Sequence, residues 1–277
     1  MSGYAHHLAF DFRSGIRDAT LMLMNYLFPI GFFVMIGLFM PTINPAFLEI
    51  MIPGLVTFAL MSGTLMTIPS TIVDQRNAGV LRSYRVNGVP AMALITIPML
   101  GALVHMVIVS GVITVGGGLV FGATLPSNWV WFAAIVILTT LSLATLSVLI
   151  GIVAPSPRAA TLLTQAVFVP SVLLGGLMVP SALLPAGVAR GASLLPATQA
   201  MRAFGMLAME GGRTAAETTT NGLMAGGLVP VIILAASIAL NLALCVALFR
   251  WNPRTHNMRS VLALLALVPF VLGAALM

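Results

Sequence analysis

The 277-residue chain is 60% hydrophobic and only 6% charged, with a formal net charge of +6. Soluble domains carry about 25% charged residues, so a chain this apolar lacks the polar surface to cover itself in water and must face lipid. All twelve basic residues are arginine; without lysine these residues hold no P-loop and no Schiff-base chemistry, and arginines scattered in short clusters argue against a nucleic-acid partner.

The apolar runs are continuous, as in Ile135–Leu138 and Val231–Ala236, which predicts spanning helices and not the alternating strands of a barrel. The chain opens on an amphipathic segment, Tyr4–Thr20. There Leu8, Phe12, Ile16 and Ala19 recur at helical spacing among Asp11, Arg13, Arg17 and Asp18. This predicts an N-terminal helix lying on the cytoplasmic membrane face, with Leu8, Phe12, Arg13, Ile16 and Arg17 at the interface. The same charges do not suit a cleavable signal peptide, so the first apolar run is expected to remain a membrane helix.

Six runs long enough for a core of about 30 Å follow, at 21–40, 52–73, 93–121, 129–153, 160–179 and 223–249. They are separated by Pro, Gly and charge clusters such as Asp74-Gln75-Arg76-Asn77 and Pro155-Ser156-Pro157-Arg158. Between the fifth and sixth lies a different stretch, 180–221, where Arg190, Arg202, Glu210, Arg213 and Glu217 interrupt short apolar pieces. A last apolar run, interrupted by Pro269, ends the chain. It reads as an extra C-terminal span or a helix at the interface, and the lack of a polar face favours the span. Residues 1–254 thus form one transmembrane domain, with 255–277 an additional hydrophobic segment.

Arginine placement orients the bundle. With the N-terminus in the cytoplasm, nine arginines fall inside (13, 17, 76, 82, 85, 158, 250, 254 and 259) and three outside, at 190, 202 and 213.

No run carries Asp, Glu or Arg near its middle, so the costly charges that mark ion or proton relays are missing. His105, Asn25, Gln165 and Asn241 read as packing and interhelical hydrogen-bond partners. Cys245 is the single cysteine and reads as a small buried hydrophobe. No catalytic constellation or metal-ligand set is visible. With neither an ion relay nor an ATP site in these residues, the energy for any transport must come from a partner.

One cytoplasmic segment suits such a partner. In Asp74–Pro90 a short helix would display Arg82, Tyr84 and Arg85, with Gly88 and Pro90 as its stop. The pattern Asp74, Arg76, Gly79, Leu81, Arg85 and Pro90 resembles the signature loop of ABC-2 type transporter permeases, especially the daunorubicin-resistance-type drug exporters. Val80 stands where that family usually has threonine. The stretch with Pro180, Pro185, Pro196 and Arg202 is similar to the family's outer segment between spans five and six, and Phe249-Arg250-Trp251 to the close of its sixth span.

The resemblance implies an all-α, six-helix permease bundle with an N-terminal amphipathic helix, outer re-entrant helices and, here, the extra C-terminal segment. It implies a multi-pass subunit of a bacterial plasma membrane exporter that takes ATP-driven work through Asp74–Pro90 from a separate ABC ATPase, present in two copies. ATP and magnesium would then sit on that partner, with no cofactor in this chain. A second permease, identical or a paralogue, would complete the path. A hydrophobic or amphipathic cargo is the expectation; a glycan exporter, or a transporter or channel needing no ATPase, are the alternatives.

Overall fold

Asp18 opens the first span. Its carboxylate accepts hydrogen bonds from the backbone N–H groups of Thr20 (2.8 Å) and Leu21 (3.1 Å), donors that a helix start leaves without intrahelical partners. The computed structural model describes residues 18–177, 184–209, 228–249 and 258–276. Among them there is no strand, and six helices are long and apolar enough to cross a membrane: α1 (Ala19–Ile43), α2 (Phe47–Asn77), α4 (Ala91–Phe121), α5 (Trp129–Val153), α6 (Pro157–Leu174) and α9 (Leu228–Leu248). A short helix, α3 (Val80–Val86), joins α2 to α4. Two more, α7 (Ala186–Ala192) and α8 (Pro196–Ala203), precede α9.

The helix α2 is the axis of the bundle. It packs on α1, α4, α5, α6 and α8 and is buried along its apolar middle, whereas α1 and α6 turn most of theirs outward. Small residues permit the closest approaches. A Cβ on Gly54 would lie 3.1 Å from the backbone oxygen of Leu177. Several hydroxyls on the buried spans are satisfied locally or across helices, while Ser110 and Thr139 bury theirs without a partner. Thr140 and Ser147 donate to Val136 and Leu143 of their own helix, while Ser142 of α5 and Ser237 of α9 bond at 2.6 Å.

The helical boundaries run past the apolar runs where polar residues serve the helix ends. The helix α2 begins at Phe47, with Glu49 in its first turn where a carboxylate complements the helix dipole. It continues to Asn77 and so takes in Asp74 and Arg76. The fifth span stops at Leu174, before Gly176 with its left-handed φ of 85°. Asn128 and Ser156 cap α5 and α6 by accepting from Trp131 and Ala159.

The last apolar segment is wound as a 3-10 helix over Met258–Leu267 and continues as α10 (Val268–Leu276). Both parts pack on α9, and Gly273 approaches Ile233, near the opposite end of α9 from Leu248. The segment therefore runs antiparallel to α9. A 3-10 helix rises about 2.0 Å per residue against 1.5 Å for an α-helix, so these two pieces cover about 33 Å, enough for a core of about 30 Å.

Candidate functional site

Two left-handed glycines define α3. Gly79 (φ 76°) ends α2 and starts α3. Gly88 (φ 72°) ends α3 in a Schellman turn, in which Val89 N–H donates to Tyr84 O (3.0 Å) and Gly88 N–H to Arg85 O (3.2 Å). Pro90 follows and caps the start of α4. Leu81 anchors the helix: it is buried and shares a cavity of about 10 Å³ with Ile72, Leu94, Val148 and Ile152, at the ends of α2, α4 and α5. The opposite face is open. Arg82 and Arg85 are exposed, Tyr84 is half-buried, and Val86 is 81% exposed. Two guanidinium groups around an exposed apolar residue can grip a partner surface that offers carboxylates or carbonyl oxygens beside an apolar hollow.

The residues expected to act together on this loop divide between two elements. Gly79, Leu81, Arg82, Tyr84, Arg85 and Pro90 belong to α3 and its ends. Asp74 and Arg76 lie on the last turns of α2. Asp74 is exposed, and Arg76 reaches to α5, donating to the backbone oxygens of Ile152 (3.3 Å) and Ala154. Those carbonyls stand at the C-terminus of α5, where a helix leaves acceptors unpaired. Arg76 thus fastens the lower part of α2 to α5.

Pro185 precedes α7 and Pro196 begins α8. The helix α8 continues as a π-helical turn, Phe204–Ala208, and packs among α2, α5, α6 and α9. Irregular backbone is stable at that depth only when buried in protein. Its ends are satisfied there: Thr198 and Gln199 donate to Ala192 and Ser193, and Ser127 N–H donates to Ala208 O. Arg202 lies on its half-buried side. Leu8, Phe12, Arg13, Ile16, Arg17 and Pro180 lie outside the described residues.

A cavity of about 490 Å³ opens between the start of α1, the last turns of α2 and the first turns of α4. It arises because all three helices depart from regularity at one level. The helix α1 is π-wound over Leu23–Leu27; α2 breaks at Met66-Thr67, just before Pro69; and α4 contains Pro98. Pro69 has no N–H for Leu65 O four residues back, and Thr164 of α6 donates to that oxygen instead (3.2 Å). Asn25 and His105 line the cavity, and the Tyr26 hydroxyl bonds His105 Nδ1 at 2.6 Å. Both side chains are buried, the place the sequence predicts for packing residues. Pro98 and Pro69 were visible signals for the two breaks, but the π-turn has no sequence signature that would have brought Asn25 to them.

No curated protein and no solved structure matches the chain significantly. The sequence profile of the ABC-2 type transporter family matches residues 7–207, a stretch that contains α1 to α8. A match over that share of the chain, together with a multi-pass helical bundle and no strand among the described residues, leads to one conclusion: the chain belongs to the ABC-2 type transporter family.

Proposed function

We propose that the chain is the permease subunit of an ATP-driven exporter, moving a hydrophobic or amphipathic compound outward with energy from a separate ABC ATPase that docks on α3. The observation that carries this reading is the mounting of α3. It presents Arg82, Arg85 and Val86 to the cytoplasm from a base fixed by Leu81. Its only covalent links are to α2, through Gly79, and to α4, through Gly88–Pro90. A push on α3 therefore passes to two spans at once, and α2 is already broken at Met66-Thr67, where its lower part can tilt against the upper. ATP and magnesium would be bound by the partner.

A second permease fits the outward face of α6. Gln165 is exposed there, about 12 Å into the helix from its first residue, level with the hydrocarbon core. An amide facing lipid is costly, and a matching face on another copy or a paralogue would satisfy it.

The test is a double charge reversal, Arg82→Glu with Arg85→Glu, in the permease co-expressed with its partner ABC ATPase. The expected outcome is loss of co-purification and of permease-stimulated ATP hydrolysis, with the variant permease still eluting as a single folded species. An ATPase that binds and is stimulated normally by this variant would refute docking through α3.

A further inference from the structure

The final segment carries a second assignment, independent of how α3 is used. We propose that it is a membrane span of adjustable length, converting between 3-10 and α winding over Met258–Leu267 as the thickness of the surrounding bilayer changes.

The winding is the first observation. Ten consecutive residues form a 3-10 helix, although runs beyond about three or four residues are uncommon because the hydrogen bonds are poorly aligned. The composition does not ask for it. Residues 262–267 are only leucine and alanine, which are among the strongest α-formers. The stretched form is therefore held against the local preference of its own sequence.

Pro269 supplies the opposing influence. In one continuous α-helix its ring would press on the carbonyl of Leu265 and leave that oxygen without a donor. As the second residue of α10 it costs no hydrogen bond. Pro269 thus opposes continuous α winding while the leucines and alanines oppose the 3-10 form, and the two windings stand near balance.

The seam against α9 suits both. Ala263 and Ala266 join the core, Pro269 and Phe270 are buried, and Gly273 approaches α9 so closely that a Cβ would collide with Ile233. Ala263, Ala266 and Pro269 are three apart, the repeat of a 3-10 helix. Ala263, Ala266, Phe270 and Gly273 are spaced by three, four and three, the repeat of one α-helical face. Leu264, Leu267, Val271 and Leu272 lie outside the seam and are exposed. Interconversion therefore brings no new face onto α9.

Length gives the change its meaning. With the 3-10 winding the two pieces cover about 33 Å, and with α winding throughout about 28 Å. Membranes differ in hydrocarbon thickness over nearly the same interval, about 27–33 Å. Because Gly273 is pinned at Ile233, the difference is taken up at the Met258 end, and α9 keeps its depth.

Spin labels at Met258→Cys and Leu272→Cys, in a Cys245→Ala background, measure the segment by pulsed electron–electron double resonance. The purified full-length chain is placed in dimyristoleoyl-, dioleoyl- and dierucoyl-phosphatidylcholine bilayers in turn, without ATPase or nucleotide. The expected result is two populations about 4–5 Å apart, the shorter dominant in the thinnest bilayer and the longer in the thickest. A pair on α9, Leu228→Cys with Val246→Cys, should give one distance in all three lipids. Pro269→Ala restores a donor for Leu265 and should hold the shorter distance throughout. An unchanging distance in the final segment, a matching change within α9, or an undiminished response of Pro269→Ala each overturns the assignment. Such a failure leaves docking through α3 standing, and a failure of docking leaves these distances as they are.

Discussion

Arg76, Arg82 and Arg85 stand close together in the sequence as one basic cluster, and their chemistry differs. Arg76 donates to two carbonyl oxygens at the end of α5, while Arg82 and Arg85 are exposed. Arg76→Leu should therefore lower the stability of the permease by about 1–3 kcal/mol, the range for losing hydrogen bonds to a charged group. The measurement is thermal unfolding in detergent, where Arg82→Ala and Arg85→Ala should shift the midpoint little. Arg76→Lys should fall between, since one ammonium does not reproduce the fork of a guanidinium. The positive-inside count treated all three alike, because charge placement follows from sequence position while the choice of acceptor follows from where a distant helix ends. Thr164 is similar. It lies 99 positions from Leu65, so no local pattern announces that its hydroxyl completes a carbonyl freed by Pro69. Thr164→Val keeps the shape and strands that oxygen, with an expected cost of about 1–3 kcal/mol.

At the scale of elements, what could be read from the sequence was what repeats locally. The continuous apolar runs gave the spans, and Gly79, Gly88 and Pro90 bracketed a short helix because left-handed turns and missing N–H groups act within a few residues. Irregularities that depend on neighbours were not readable: the π-turn at Leu23–Leu27 and the burial of α8 among the spans arise only when several helices converge. The brackets of α3 can be tested separately from its charges. A Cβ on Gly88 meets no neighbouring atom, yet its φ of 72° is strained for an L-residue by about 1–2 kcal/mol. Gly88→Val should loosen the Schellman turn and reduce stimulation of the ATPase while Arg82 and Arg85 remain in place. Gly88→Asn, which tolerates the left-handed region, should retain most of it. If both variants stimulate equally well, the orientation of α3 has no part in coupling.

For the molecule as a whole, orientation and the course of the final segment are joined questions. With the N-terminus and α3 in the cytoplasm, the arrangement that the arginine count predicts, an odd number of crossings would place the C-terminal end outside. The final run, at about 16 apolar residues, is short for an α-helical crossing of about 30 Å. The 3-10 winding of Met258–Leu267 supplies the missing length, and the contact of Gly273 with Ile233 sets its far end close to the first turns of α9. Length in the membrane therefore depends on helix type as well as residue count, and only the apolar composition could be read in advance. Cysteine labelling tests the arrangement directly, because the one native thiol, Cys245, is fully buried. A membrane-impermeant maleimide added to intact spheroplasts should modify Ala274→Cys and spare Asn87→Cys, which lies at the end of α3. In inverted vesicles the pattern should reverse. Both positions reacting from the same side would mean that the C-terminal segment lies along the cytoplasmic surface, leaving six crossings and breaking the antiparallel pairing with α9 that the 3-10 geometry makes possible.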